Sequence, residues 1–452
     1  MIAQLKKKYL FFIALGTCLF IATSCEKVES DKLETEKSYL YSLMKDVYYW
    51  YKEMPTNIDP APISSIYDYF DTLLVPKDRW SWMMSGEEYT DSEKGIYLTY
   101  GASYSQPIDY YNDYSVRVRY VFDNSPMSEN GVKRGFELTH LNGTPVMDLI
   151  RNGTFNSKMN NSFNSFTFKR YDGSSYTFST SAREVNTKSV LKSMIITSAD
   201  FPGLPYPVAY FNYYAFKAGM TSEIDNAMAT FKAANVKELI LDLRYNGGGD
   251  AAATQLLSNY IAPASANGKI VARRKHNDKL SAYDSDVNTM TVVQRVSNSL
   301  DLNRLIILTS GGTASASEII VNGFKPLMNV LQVGRTTYGK PNGMYVWFYP
   351  ENEELYPDYV FLPVAFYSVN SLGEGDYENG IVPDQQRPDD LYHDFGLEED
   401  WLKSSLTFIA TGSWPSVPAV LPTAAPQFSG AKIKIEEDSP NYGKYIDHKK
   451  PL

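Results

Sequence analysis

Two segments of this 452-residue chain pair small residues with nucleophilic or backbone groups in a way that could do covalent chemistry. The first, Gly311 to Ile320, reads GGTASASEII and lies between a buried-strand run, Leu305 to Thr309, and a helical run stopped by Pro326. A small-residue turn between strand and helix exposes a serine hydroxyl, and the N–H groups at the helix start can face a developing oxyanion. A serine in that place also serves as an ordinary N-cap. The second segment, Leu241 to Asp250, reads LDLRYNGGGD. Its three consecutive glycines permit positive φ and close approach to a substrate, so an N–H there can act as a second oxyanion donor; the same run also suits a tight connection. The four histidines, at 140, 276, 393 and 448, show no metal-ligand spacing, and none adjoins a strand-turn-helix element. A Ser-His-Asp triad therefore lacks an obvious base.

The elements that must position these segments can be read from periodicity. From about Val185 to Gly412, strands alternate with helices. Val208 to Tyr214 and Leu239 to Leu243 predict strands, Thr221 to Ala234 and Ala251 to Ile261 predict helices, and Ser315 to about Phe324 predicts another helix. That order argues for an α/β layer with ligand sites at the carboxyl ends of its strands. From Gly95 to about Ser181 short β-type runs are broken by the turns Asn142-Gly143 and Asp172-Gly173, interrupted by one helix start at Ser125-Pro126. Upstream, Leu40, Leu43, Met44, Val47, Tyr48 and Tyr51 recur at helical spacing, and a second helix fits Ile66 to Leu74 with Ser65 and Asp68 in capping-box spacing. Glu36 to about Glu93 reads as a small helical domain. Residues from Ser413 onward are Pro- and charge-rich and are assigned no fold.

The first 24 residues have the form of a signal peptide. Lys6, Lys7 and Lys8 precede an apolar stretch from Tyr9 to Ala22, too short to span a bilayer comfortably, and Ala22-Thr23-Ser24 places small residues before Cys25. The pattern resembles a bacterial lipobox with Cys25 as the lipidated residue, although Ala22 stands where that motif prefers Leu. Both cysteines, Cys18 and Cys25, fall here, so the mature fold has no disulfide, no cysteine-bound zinc and no cysteine nucleophile. Loss of the three leader lysines takes the formal charge from −9 to about −12, which makes nucleic acid a poor partner. A hydrophobic fraction of 43% argues against long disordered stretches.

Taken in order, LILDLRYNGGGD, GGTASASEII, VGRTTYGKPNG and GIVPD resemble the carboxy-terminal processing (tail-specific) proteases, a family of serine peptidases. The likeness extends upstream: Gly95-Ile96-Tyr97-Leu98 looks like a PDZ carboxylate-binding loop, and NSPMSENGVKRGFELTHLNGTPV, Asn124 to Val146, looks like the family's PDZ segment. The resemblance implies a crotonase-like α/β protease domain at 183–412, a PDZ-like β domain at 94–182 and a helical N-terminal domain at 36–93. These follow a signal peptide at 1–24 and a lipidated tether at 25–35, and precede a C-terminal tail at 413–452. It also implies Ser315 as nucleophile and Lys340 as general base, 25 residues apart as in the family. The backbone N–H groups of Gly248 and Ala316 would be the oxyanion donors, and Ser317 would be structural. A neutral, desolvated lysine is a known alternative to histidine as the base for a serine. Two positions depart from the pattern. Met344 stands where the family has a glutamine that orients the lysine, leaving Asn342 as the candidate orienter, and Phe136-Glu137 stands where Gly-Asp is common. The expected activity is cleavage of polypeptides without metal or cofactor, with substrate tails held at the Gly95 loop. The expected location is the cell envelope, lipid-anchored to the outer membrane on its periplasmic or surface face. The rival readings are a peptide-binding lipoprotein of the same fold with weak catalysis, which Met344 favours, and an acyl-thioester enzyme, which export from the coenzyme A pool disfavours.

Overall fold

In the computed structural model, which describes residues 31–105, 114–351, 357–417 and 445–447, the α/β region is built on a six-stranded sheet. Val190–Ile196 runs antiparallel to Val208–Tyr213. That strand is followed in parallel by Glu238–Asp242, Arg304–Thr309, Val330–Gly334 and Gln385–Gln386, so that the order across this sheet follows the order of its strands along the chain. The central parallel strands are predominantly apolar because both faces are covered. Ala209, Phe211, Leu239, Leu241, Leu305 and Ile307 face one core, shared with the helices Thr221–Ala233, Ala251–Ile261 and Ala316–Phe324. The alternate residues Val208, Tyr210, Ile240, Ile306, Leu308 and Val333 face a second core closed by Trp401, Leu402, Leu406 and Ile409 of the helix Asp400–Thr411.

The helix-rich N-terminal region packs directly on the α/β layer. The helix over 31–47 buries Leu40, Leu43, Met44 and Val47 in the same core as the sheet, and Trp82–Ser85 pairs antiparallel with Tyr359–Leu362. The physical reason is the apolar face of the first helix, which finds its partner surface on the larger layer. The helix Ile66–Leu73 begins where its capping signal placed it, with Ser65 Oγ accepting the N–H groups of Tyr67 and Asp68.

The β module has its own core of Tyr100, Val118, Leu138, Leu141, Phe166 and Phe168. Its four-stranded sheet runs in the order Thr144–Pro145, Glu137–Leu141, Phe163–Lys169, Ser175–Ser181. Asn142 and Gly143 both take positive φ, 51° and 75°, in the hairpin turn. Buried Arg134 docks this module onto the α/β layer: its guanidinium donates to Asp389 Oδ1 at 2.9 Å and to Tyr245 Oη at 2.8 Å. Asp389 also accepts from Arg244 at 3.2 Å, and Arg244 reaches Glu399 and Asp242.

A second sheet orders Gly249–Asp250, Tyr445–Asp447, Asn342–Tyr345, Val364–Val369, Ile270–His276 and Met290–Val292. The region from Ser413 thus contributes a short strand, where the sequence offered no periodicity to read.

Candidate active site

Three adjacent parallel strands deliver the candidate groups from their carboxyl ends. Glu238–Asp242 leads into the turn carrying Gly248, Arg304–Thr309 into the turn carrying Ser315, and Val330–Gly334 into the loop carrying Lys340. This is the edge at which open α/β sheets place their ligands.

Ser315 precedes the first residue of the helix Ala316–Phe324 and has φ 59°, ψ −114°, a backbone conformation that non-glycine residues rarely adopt. Its neighbours fix it. Ser315 N donates to Glu318 Oε2 at 2.8 Å, Ala314 N donates to Asn246 O at 3.0 Å, and Ser317 Oγ donates to the same carbonyl at 3.1 Å. Ser317 is therefore spent on holding the two turns together. Ser315 Oγ is buried and makes no hydrogen bond among the described residues. Gly248 packs directly on this turn: a Cβ there would stand 2.8 Å from Ser315 Cβ and 2.9 Å from Ala316 N, so only glycine fits.

Lys340 is brought to the same place by the same carboxylate. Lys340 N donates to Glu318 Oε2 at 2.8 Å, Gly339 N to Oε1 at 2.7 Å and Thr337 Oγ1 to Oε1 at 2.6 Å. Burial pushes the Glu318 carboxyl above its ordinary range, and these hydrogen bonds oppose that shift. The Lys340 side chain is buried, and desolvation lowers its pKa from 10.5 to about 7, against the raising influence of Asp78 and Glu318. An ammonium poised there loses its proton near neutrality and becomes an amine able to accept one.

Some expectations need correction. Among the described residues the buried amide of Asn342 makes no hydrogen bond, to the lysine or otherwise, and Nζ instead lies 3.7 Å from Met344 Sδ, a weak acceptor. Gly248 N–H is not aimed at an oxyanion, because Asn246 Oδ1 captures it at 2.8 Å in an Asx turn and Asn246 Nδ2 is itself tied to Tyr213 O. Ala316 N–H, at the start of its helix, has no acceptor within that helix. Gly95 is the left-handed C-cap of the helix Gly86–Lys94, and its N–H donates to Ser92 O, so it is consumed by the helix and cannot hold a carboxylate. Ile96–Thr99, containing Tyr97 and exposed Leu98, pairs antiparallel with Arg183–Asn186; among the described residues no strand pairs with its other edge. Cys25 lies outside the described residues.

Two groups at the site escaped sequence reading. Glu318 stands three residues after Ser315, the capping-box spacing, and that signal was available. Asp78 comes from the N-terminal region and had no signal. The described histidines have partners elsewhere: His276 sits between Asp284 and Tyr345, each at 2.7 Å, His393 contacts Asp390 at 2.8 Å, and His140 lies 3.1 Å from Thr139 Oγ1; His448 lies outside the described residues.

Comparison with known proteins addresses the family and the fold. Residues 207–386 match the profile of peptidase family S41, and residues 35–82 match the S41 N-terminal domain. The chain is 26% identical over 337 residues to the chloroplastic carboxyl-terminal-processing peptidase 3 of Arabidopsis thaliana, covering 72% of this chain and 59% of that protein. It is 29% identical over 136 residues to the chloroplastic C-terminal processing peptidase of Tetradesmus obliquus, 26% of that protein's length. The chain therefore spans less than two thirds of these relatives. The crystal structure of a chain assigned to the S41 proteases from Bacteroides fragilis NCTC 9343 superposes with a TM-score of 0.66 at 22% identity, over 83% of this chain and 97% of that one; this likeness shows the fold. The chain belongs to peptidase family S41, the serine-type peptidases that include the carboxyl-terminal-processing peptidases.

Proposed function

We propose that this protein is a lipid-anchored serine endopeptidase of the cell envelope that cuts polypeptides with Ser315 and Lys340. The observation that carries the reading is the convergence of both residues on Glu318, which holds their backbones together while burial favours a neutral Lys340. Ser315 Oγ attacks a peptide carbonyl, Lys340 Nζ takes its proton and returns it to the leaving amine, and water resolves the acyl-enzyme. Ala316 N–H supplies one oxyanion donor, and a second from Gly248 requires release of its N–H from Asn246 Oδ1. In this reading the α/β layer is a crotonase-like protease domain and the β module is PDZ-like. Substrate tails would add to the open edge of Ile96–Thr99 rather than to Gly95 N–H. In this reading the anchor is Cys25, the residue that the lipobox-like leader offers for lipidation, and the attachment is to the outer membrane.

Cleavage of casein and of a tailed peptide, followed on gels for the native protein, Ser315→Ala and Lys340→Ala, tests the reading. Cleavage by the native protein alone supports it, and equal cleavage by Ser315→Ala would end it. Metabolic labelling with a fatty acid, lost in Cys25→Ser, tests the anchor. A peptide-binding protein of the same fold is the second reading, favoured by the Met344 contact to Lys340 and the captured Gly248 N–H; it requires binding of the tailed peptide without turnover.

A further inference from the structure

The short strand Tyr445–Asp447 lies in a slot between two strands that border the catalytic pair. It runs parallel to Gly249–Asp250, with Gly249 opposite Tyr445 and Asp250 opposite Ile446. On its other side it runs parallel to Asn342–Tyr345, with Met344 opposite Ile446 and Tyr345 opposite Asp447. Gly249 is already bridged to Phe216 on its far side, and Met344 pairs with Val364. Each flanking strand therefore has one edge left, and Tyr445–Asp447 takes both.

The flanks are part of the site. Gly249 follows the glycine that packs on Ser315, and Met344 is the contact of Lys340 Nζ. A chain running through the slot passes between the glycine turn and the strand that carries the contact of the base. Unpaired strand edges are ready templates for an extended peptide, with the ladder supplying affinity whatever the side chains. Ser315 and Lys340 are 0% and 1% exposed, so a polypeptide reaches the hydroxyl only after the site opens.

From this pairing we infer that Tyr445–Asp447 is an intramolecular occupant of the slot that receives the substrate strand, so that the chain's own tail competes with polypeptides for the active site. The inference rests on the peptidase reading of the site and adds its regulation. A three-residue strand binds weakly, but tethering through the residues after Thr411 gives it a local concentration on the order of millimolar, enough to raise KM by roughly two- to ten-fold.

Ile446 pairs with both flanks, and proline there removes its N–H and obstructs the ladder. In the full chain, Ile446→Pro should raise kcat/KM on a quenched fluorescent peptide by about two- to ten-fold through KM alone, and a free peptide of residues 441–452 should restore the higher KM. A second arm needs no turnover. By fluorescence anisotropy, the labelled 441–452 peptide should bind Ser315→Ala/Ile446→Pro more tightly than Ser315→Ala with its native tail. If the chain is active but Ile446→Pro matches the native protein and the peptide neither inhibits nor binds, the tail does not occupy the slot and the peptidase reading stands. If no protein cleaves yet the binding contrast appears, the peptidase reading fails and the occupancy stands. Absence of both cleavage and contrast overturns both.

Discussion

The backbone N–H groups of Ser315 and Lys340 donate to the same oxygen, Glu318 Oε2, each at 2.8 Å. One buried carboxylate thereby sets the spacing of two loops that come from different strands. It also holds Gly339 N–H and the Thr337 hydroxyl. In Glu318→Gln an amide NH2 replaces one acceptor oxygen and faces N–H donors. Hydrogen bonds to a charged group contribute roughly 1.5–3 kcal/mol each, so kcat should fall by about 10- to 100-fold. Because the Glu318 charge favours the protonated lysine, its removal should also move the acidic limb of the pH–rate profile downward. A purely structural role would lower the active fraction without moving the limb, and an unmoved limb with unchanged kcat would refute the assignment.

With Lys340 proposed as the base, the limb should report its titration. Below about pH 7 the side chain is charged and cannot accept the serine proton; above it the amine is available. The kcat/KM of the native protein should therefore rise with pH through a midpoint near 7 on a substrate without titrating groups. Asp78 raises the lysine pKa, so Asp78→Asn should shift the midpoint to lower pH while its side-chain oxygen still accepts from Trp80 N and Ser81 N. A midpoint above 9, or full activity at pH 5 in Lys340→Ala, would rule out lysine as the base.

Met344 offers a reciprocal test. Its sulfur, 3.7 Å from Nζ, orients the lysine weakly, whereas a glutamine carbonyl accepts strongly from an ammonium. Hydrogen bonding to the charged form raises a pKa, so Met344→Gln should move the limb to higher pH and leave activity above it intact or increased. Met344→Leu, which keeps the packing without the sulfur, should leave the limb near its native position. A downward shift in Met344→Gln would show that its amide does not reach Nζ.

How much of this was legible depended on whether the signal was local. The strand-turn-helix elements around Gly248 and Ser315 were readable because the strands are buried on both faces and the helices start at small-residue turns. Lys340 lies in a loop and drew attention only through resemblance. The Glu318 spacing was visible but reads equally as a helix cap, and it is one; its reach to Lys340 is a tertiary fact. No carboxylate lies near Lys340 in sequence, yet Asp78 arrives through the N-terminal helices that pack on the main core. Gly95 is ambiguous in sequence because a glycine after a helix and a glycine in a carboxylate loop look alike, and here capping consumes the N–H. Asn246 captured the Gly248 N–H by a side-chain bond that composition does not reveal.

A buried charge cluster takes part in docking the β module, beside the aromatic contacts of Tyr120 and Phe122 with Tyr214, and this gives a stability prediction. Arg134 is buried against Asp389, Tyr245 and the Asp390 carbonyl, with Arg244 sharing Asp389. Removing one partner of a buried pair typically costs about 3–5 kcal/mol, because the other charge loses its compensation. Arg134→Met should lower the unfolding free energy by an amount of that order and expose the segment between the module and the sheet to limited proteolysis. Chemical denaturation with the module followed separately would check it; a loss under about 1 kcal/mol would mean that apolar contacts hold the interface.

The buried lysine should also be visible in folding, without any substrate. Its folded pKa of about 7 lies below the ordinary 10.5, so the unfolded chain binds the proton more readily. Between those two values the unfolded state carries more protons, and stability therefore rises with pH across that window. Below about pH 7 both states are charged and the folded protein bears the full cost of the buried ammonium. Lys340→Met, close in shape and free of charge, should then be more stable than the native protein at pH 6 by several kcal/mol, roughly 1.4 for each pH unit of the depression. Its advantage should shrink steadily from about pH 7 and nearly vanish by pH 10.5. Equal melting behaviour of the two proteins at pH 6 would mean that the ammonium is solvated, and the argument for a neutral lysine at the active site would fall with it.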